Sequence, residues 1–215
     1  MNSEPIATRA TNAETMKLLG GALCLDFVNT VDWRLTSQPT EWLTDYGVLV
    51  RWAVHAGGLD LETGDRLITG AERDLKAASR VLGRAIAIRE TLHRLFLGDT
   101  IDPLDLNRFN AAFVEAPSRI GLAHDGDELA WAIEGGEERL DAVLAPVLWS
   151  AAELLASPER LRVRRCADHA CGWIFLDASR SARRQWCAME DCGNRNKARR
   201  HYSRSKQEKA SQSAQ

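Results

Sequence analysis

Four of the five cysteines lie in the last quarter of the 215-residue chain, as two pairs with the same internal spacing. Four residues separate the members of each pair, and fifteen residues separate one pair from the other. Zinc prefers thiolate ligands, and two short turns can supply all four ligands of a tetrahedral site. The spacing therefore predicts one zinc ion bound by Cys166, Cys171, Cys187 and Cys192.

A zinc ion with four sulfur ligands has no coordination position left for water or substrate. We therefore expect a structural site rather than a catalytic one. The rest of the sequence shows no Ser–His–Asp pattern, no phosphate-binding glycine loop and no zinc-hydrolase motif, and its histidines are scattered. These features favour a binding protein over an enzyme.

The residues around the cysteines are strongly basic. From Pro158 to Gln215 there are fourteen Lys and Arg against six Asp and Glu, whereas residues 1–157 contain fourteen against twenty-four. The formal charges are therefore +8 for this C-terminal part and −10 for the N-terminal part, although the whole chain carries only −2. Such asymmetry between two parts of a chain indicates a nucleic-acid contact by the basic one.

A basic segment without proline follows Cys192 and is compatible with a helix. Four of its residues recur at helical spacing and would form a cationic stripe that includes one aromatic ring. Arginines on a rigid face suit phosphate oxygens, although a charged terminal helix can also be merely solvated. The zinc platform and the acidic N-terminal part favour contact with DNA. The predicted stripe is Arg195, Arg199, Tyr202 and Lys206, bordered by Asn196, Arg200 and Ser203; further candidate contacts are Lys197 on the same helix and Arg183 and Arg184 on the preceding loop.

The order of elements around the cysteines is that of a treble-clef finger. A strand at Leu161–Arg165 leads into the first pair, and the β-prone run Trp173–Leu176 follows it. A turn and a returning segment at Arg184–Trp186 lead to the second pair, which opens the helix.

Residues 1–157 indicate mainly helices. Apolar side chains follow helical spacing in Glu72–Leu97, Leu104–Glu115 and Glu137–Ala156. Pro103 suits the first turn of the second helix, whereas Pro146 predicts a kink inside the third.

A single β-hairpin is predicted among these helices, since Asp125-Gly126-Asp127 lies between two partly alternating runs, Arg119–His124 and Glu128–Glu134. The predicted fold is thus mainly α (α+β overall), with a helical bundle and one small hairpin followed by the finger. We divide the chain into a sensing or dimerisation domain at 1–157, a zinc finger at 158–206 and a disordered tail at 207–215.

A polar cluster interrupts the apolar segment Leu18–Trp33. If this segment is helical, three of the polar side chains share one face. They could line a pocket for a small-molecule effector, together with a tryptophan, or they could satisfy buried backbone groups and hold the bundle together. The second interpretation is favoured. The candidate pocket residues are Asp26, Asn29, Thr30 and Trp33.

The sequence predicts neither a membrane span nor a secretory signal. Charges interrupt every long apolar stretch, and residues 1–15 lack an apolar run. We therefore expect a cytoplasmic protein, in which paired cysteines are more often metal ligands than disulfides.

Two motifs carry a resemblance to known families. Trp186-Cys187 followed by Cys192-Gly193-Asn194-Arg195 resembles the CGNR zinc finger, which is named after that tetrapeptide. The stretch from Gly20 to Thr30 resembles the opening of the ABATE domain, which precedes this finger in bacterial proteins. The resemblance implies a stress-induced transcription regulator whose finger binds zinc and DNA. It also implies that the four cysteines are the ligands and that Asn194 and Arg195 are candidate DNA contacts.

The leading hypothesis is therefore a DNA-binding transcription regulator. A single finger rarely provides enough specificity alone, so a homodimer is also considered. The alternative is a zinc-stabilised module that binds protein or RNA, in which Tyr202 and Trp173 could stack on bases.

Overall fold

The structure is a computed structural model that describes residues 12–125, 128–135 and 139–212. Its α-helices within these ranges are α1 (Leu23–Val28), α2 (Tyr46–His55), α3 (Leu61–Arg73), α4 (Leu75–Leu97), α5 (Pro103–Glu115), α6 (Ala145–Ala156) and α7 (Asn194–Gln212). The strands form three antiparallel pairs: β1 (Val31–Asp32) with β2 (Thr40–Glu41), β3 (Arg119–Asp125) with β4 (Glu128–Ile133), and β5 (Val163–Arg165) with β6 (Ile174–Leu176).

The N-terminal part is a helical bundle in which α1 packs against α4 and α6. Helix α1 is short and almost wholly buried, and its Phe27 ring lies 5.3 Å from the ring of Trp52. Burial of such large aromatic and aliphatic side chains is the main stabilising contribution to the bundle. The mainly α architecture with a hairpin and a finger, expected from the sequence, is confirmed.

Helix α4 begins three residues later than the apolar pattern indicated. The Asp74 carboxylate accepts a hydrogen bond from the backbone N–H of Ala77 at 2.8 Å, and its backbone leaves the helical region. Aspartate at this position satisfies a backbone donor that the first turn leaves unpaired. The predicted helix 72–97 is thus divided at Asp74 between the end of α3 and the start of α4.

Pro146 starts a helix rather than kinking one. A short 3₁₀-helix at Leu140–Leu144 precedes α6, and Pro146 lies in the first turn of α6. Backbone N–H groups in the first turn of a helix have no acceptor within that helix, so the missing N–H of proline costs no hydrogen bond there. Residues 137 and 138 of the predicted helix lie outside the described residues. By contrast, α5 begins at Pro103 as predicted.

The predicted hairpin forms, with Leu122 opposite Trp131 and Asp125 opposite Glu128. The Asp-Gly turn itself falls partly on residues 126 and 127, which lie outside the described residues. Among the described residues, no helix combines the length and apolarity needed to cross a bilayer.

The finger shares its core with the bundle. Trp173, Ile174 and Phe175 are buried in the same apolar cluster as the helices of the N-terminal part. Residues 184–186 are not a strand in this part of the described chain: the backbone N–H of Arg184 donates to the side chain of Asp177 at 3.0 Å, and the carbonyl of Gln185 accepts from the N–H of Ala167 at 2.8 Å. Helix α7 continues to Gln212 and so extends beyond residue 206, the predicted end of the finger.

Candidate metal centre and basic helix

The four cysteine sulfurs converge on one point. All are buried, and all four Sγ atoms lie within 4.8 Å of one another. The Sγ of Cys187 is 3.8 Å from that of Cys171 and 3.5 Å from that of Cys192. Four sulfurs each about 2.3 Å from a zinc ion form a tetrahedron with edges of about 3.8 Å. The described geometry therefore fits one zinc ion with four sulfur ligands, as the sequence predicted.

Thiols this close cannot all ionise without a cation. Hydrogen bonds from Cys171 and Cys187 lower the pKa of Cys166 to about 7, whereas hydrogen bonds with Cys166 and its other two neighbours raise the pKa of Cys187. The pKa of Cys192 is lowered as well, so the low pKa values of two thiols are accompanied by a raised pKa of Cys187 between them. Zinc removes this conflict, since its charge stabilises the thiolate form of every ligand.

Short local structures present the sulfurs. Cys166 directly follows β5, and its N–H donates to the carbonyl of Trp173 at 2.8 Å across the β5–β6 pair. Cys171 closes a turn in which its N–H donates to the carbonyl of Asp168 at 3.1 Å. Cys192 lies in a π-helical turn, Met189–Gly193, that runs directly into α7. The last ligand therefore fixes the start of the basic helix.

Gly193, the second residue of the tetrapeptide, packs closely against two side chains. A Cβ at this position would overlap the sulfur of Met189 and lie 3.2 Å from the ring of Trp186. Gly172 has a comparable role after the first pair: its φ is +74°, and a Cβ there would lie 2.7 Å from Cβ of Arg34. The turn at Gly172 therefore needs a residue without a side chain, whereas at Gly193 a Cβ would displace the end of the Met189 side chain.

Arg195, the last residue of the tetrapeptide, points inward. Its Nε donates to Asp168 at 2.7 Å, and its Nη2 donates to the Sγ of Cys192 at 3.1 Å. Its guanidinium also lies 4.5 Å from the ring centre of Trp33, a residue held at a φ of 53°. Arg195 thus joins a zinc ligand, a buried carboxylate and the N-terminal part.

Asp168 is the fully buried partner of this arginine. Burial alone would raise its pKa, but hydrogen bonds from the Ala170 N–H and from Arg195 outweigh it and lower the pKa. Burial also opposes the charge of Arg195, yet the hydrogen bonds to Asp168 and Cys192 raise its pKa. Arg199 adds two longer contacts to Asp168, both at 3.4 Å. The pair is therefore ionised and serves as a support for the metal site.

The side of α7 that faces solvent includes only part of the predicted stripe, since Tyr202 and Lys206 are exposed. Arg195 and Arg199 are turned toward Asp168, whereas three other cations at helical spacing are exposed. We call these three residues the exposed basic face: Lys197, Arg200 and Arg204. Tyr202 is 73% exposed.

Of the remaining predicted DNA contacts, two form contacts within the protein and one is exposed on the loop. Asn194 is exposed but donates to the Glu190 carbonyl at 3.1 Å. Arg184 lies 4.3 Å from the ring centre of Phe175 and donates to the carbonyl oxygens of Trp186 and Cys187. Arg183 is exposed on the loop.

The polar cluster of α1 holds the finger to the bundle. The Asn29 side chain donates to the Ile174 carbonyl and accepts from the Ile174 N–H, both at 2.8 Å. Asp26 accepts from the Gly20 N–H at 2.7 Å, and the Thr30 hydroxyl donates to the Phe27 carbonyl at 2.8 Å. The cluster therefore satisfies backbone groups, which was the favoured interpretation.

Sequence reasoning missed three residues of this site. Asp168 was not singled out, although an acidic residue inside the first cysteine pair of a basic segment was a usable signal. Arg34 donates its backbone N–H to the Cys171 carbonyl at 3.2 Å and its guanidinium to Glu90 at 2.5 Å. No local pattern marks Arg34 or Glu90, because their partners lie far away in the sequence.

Comparison with protein-family models finds two matches. Residues 21–158 match the ABATE family, described as "putative stress-induced transcription regulator", and residues 162–205 match the CGNR zinc finger. These are the families that the two sequence motifs resemble. A search of curated proteins finds no match.

Proposed function

Since the chain belongs to the ABATE family and ends in a CGNR zinc finger, we propose that it is a cytoplasmic transcription regulator that binds DNA through the exposed basic face of α7. The observation that carries this proposal is the division of the arginines of α7. Arg195 and Arg199 neutralise the buried Asp168, whereas no ion pair among the described residues involves the three cations of the exposed basic face.

The geometry of α7 suits phosphate contact. The zinc-bound turn holds the start of the helix, so the exposed cations project from a rigid element rather than from a flexible tail. Lys197, Arg200 and Arg204 follow one another at three and four residues, and successive turns of a helix present them on one side. Cations on one side of a helix can neutralise phosphates along one groove of DNA.

The acidic N-terminal part does not neutralise this face within the described residues. The ion pairs there that join the two parts have the opposite polarity, since Lys17 of the N-terminal part pairs with Asp191 at 3.0 Å and Glu190 at 3.6 Å of the finger. This observation favours an external partner for the basic face over the chain's own acidic surface. The N-terminal part then serves sensing or dimerisation, and two copies would supply the specificity that one finger lacks.

Replacement of the exposed basic face tests the proposal. The Lys197→Gln/Arg200→Gln/Arg204→Gln variant should bind random duplex DNA more weakly, as measured by fluorescence anisotropy. The slope of log K against log salt should shrink by about 3 in magnitude, because each neutralised phosphate contributes about 0.9.

A matched control removes exposed charge from the N-terminal part. Lys76→Gln should leave both the affinity and the slope unchanged, since Lys76 is exposed on α4 and forms no ion pair with another described residue. An unchanged slope in the α7 variant would contradict the proposal. Tighter binding of single-stranded RNA than of duplex DNA, with the same loss in the variant, would favour the RNA alternative through the exposed Tyr202.

A further inference from the structure

A cleft of about 730 Å³ opens on the N-terminal part, away from the zinc site. It lies between the end of α3, the first half of α4 and the 3₁₀-helix at residues 140–144. Three arginines line it: Arg73, Arg80 and Arg84. This volume is within the range of sites that hold small organic ligands, about 300–1,000 Å³.

The concentration of positive charge here is unusual for its surroundings. Residues 1–157 carry a formal charge of −10, yet Arg80 and Arg84 stand four residues apart on α4, where like charges repel each other. Arg84 is paired with Glu115 at 2.6 Å. Arg73 and Arg80 are exposed, and no ion pair joins either of them to another residue in the described ranges.

The carboxylates of the cleft already have partners. Asp74 accepts from the backbone N–H of Ala77 as the cap of α4, and Asp141 pairs with Arg139 at 2.8 Å. Neither carboxylate therefore forms an ion pair with Arg73 or Arg80. An anion that entered the cleft would meet the guanidiniums of Arg73 and Arg80, which no ion pair among the described residues neutralises, and one carboxylate, Asp74, whose backbone hydrogen bond leaves its charge in place.

We propose that this cleft is a binding site for a small organic phosphate. Guanidinium donors match phosphate oxygens in geometry, so Arg73 and Arg80 would bind the phosphate group. Ala77, Val81 and Leu140 supply an apolar wall on which the organic group would pack. The site is distinct from the exposed basic face, and the inference stands whether or not the chain binds DNA.

Titration of the zinc-loaded full chain with phenyl phosphate tests this inference. Isothermal titration calorimetry at low ionic strength should detect binding that weakens at least tenfold in Arg73→Gln/Arg80→Gln. Inorganic phosphate should bind more weakly than phenyl phosphate, because it leaves the apolar wall uncovered. Both arginines are exposed, so the variant should keep the wild-type melting temperature.

Two controls make the outcome decisive. Lys76→Gln removes an exposed charge from the same helix outside the cleft and should bind phenyl phosphate as the wild type does. The Lys197→Gln/Arg200→Gln/Arg204→Gln variant should also retain binding. The proposal would be overturned if the wild type did not bind phenyl phosphate detectably, or if the Arg73/Arg80 variant bound it as tightly as the wild type. It would also be overturned if only the α7 variant lost this binding. Equal affinity for the two phosphates would overturn the role of the apolar wall.

Discussion

The Arg195 guanidinium contacts three different groups at once: a carboxylate, a cysteine sulfur and an indole ring. Its side chain is 22% exposed, whereas its partner Asp168 is fully buried. A hydrogen bond from a guanidinium stabilises the thiolate form of the sulfur and fixes its orientation, so Arg195 supports the metal from outside the ligand set. Removal of Arg195 would also leave the buried Asp168 carboxylate without its nearest cation.

We expect Arg195→Gln to weaken zinc binding by about 10- to 100-fold, the usual cost of losing a group that orients a metal ligand. Competition with a chromogenic chelator measures this affinity. Arg200→Gln is the control, since Arg200 is exposed on the same helix and should leave zinc affinity unchanged. Equal zinc affinity in the Arg195 and Arg200 variants would show that Arg195 does not support the metal.

Asp26 should make stability depend on pH. Burial raises its pKa to about 6, and the Gly20 N–H opposes this shift only in part. A carboxyl group whose folded pKa is raised stabilises the fold at low pH and loses that contribution as pH rises through the folded pKa.

Relative to Asp26→Asn, the wild type should therefore lose roughly 1 kcal/mol of unfolding free energy between pH 5 and pH 7. Urea denaturation at each pH, with zinc present throughout, measures the difference. A difference that stays constant over this range would show that the pKa of Asp26 is not raised.

At the scale of elements, α1 positions the finger through its last turn and the residue that follows. Asn29 exchanges two hydrogen bonds with Ile174 of β6, and the indole N–H of Trp173 donates to the Val31 carbonyl at 3.1 Å. Leu176 adds a third link, from its N–H to the Gly20 carbonyl at 2.8 Å. The segment around α1 thus pairs with the finger much as an additional strand would.

Asn29→Asp should loosen this attachment, because a carboxylate cannot donate to the Ile174 carbonyl and carries a buried charge. The free energy of unfolding should fall by about 2–3 kcal/mol, which is the usual cost of leaving a buried hydrogen-bonding group without a partner. Chemical denaturation measures it, and Asn107→Asp on the exposed side of α5 is the matched control. An Asn29 variant no less stable than the control would contradict this role.

Elements set by local spacing were predictable from the sequence. The cysteine pairs, the start of α5 at Pro103 and the hairpin each depend on residues close to one another in the chain. The direction in which each arginine of α7 faces could not be predicted from the sequence. It depends on Asp168 and Trp33, which only the folded chain brings near α7. The same reason explains why the attachment of Asn29 to Ile174 could not be derived from the polar cluster.

At the scale of the whole molecule, the finger is attached by apolar burial and backbone hydrogen bonds rather than by attraction between the acidic and basic parts. The buried Trp173, Ile174 and Phe175 belong to the cluster that includes the bundle core. The exposed basic face is therefore free to contact a negatively charged partner. We expect zinc to fix its position, because Cys192 lies in the turn Met189–Gly193 that leads into the helix.

Duplex DNA binding by one sample, before and after removal of zinc, tests this account most directly. Chelation should weaken the affinity at least tenfold, because α7 loses the ligand turn that holds its start, and an equimolar addition of zinc should restore it. The affinity of the same sample before zinc is removed is the reference value. An affinity that is unchanged in the metal-free chain would contradict the claim that zinc positions a DNA-binding helix.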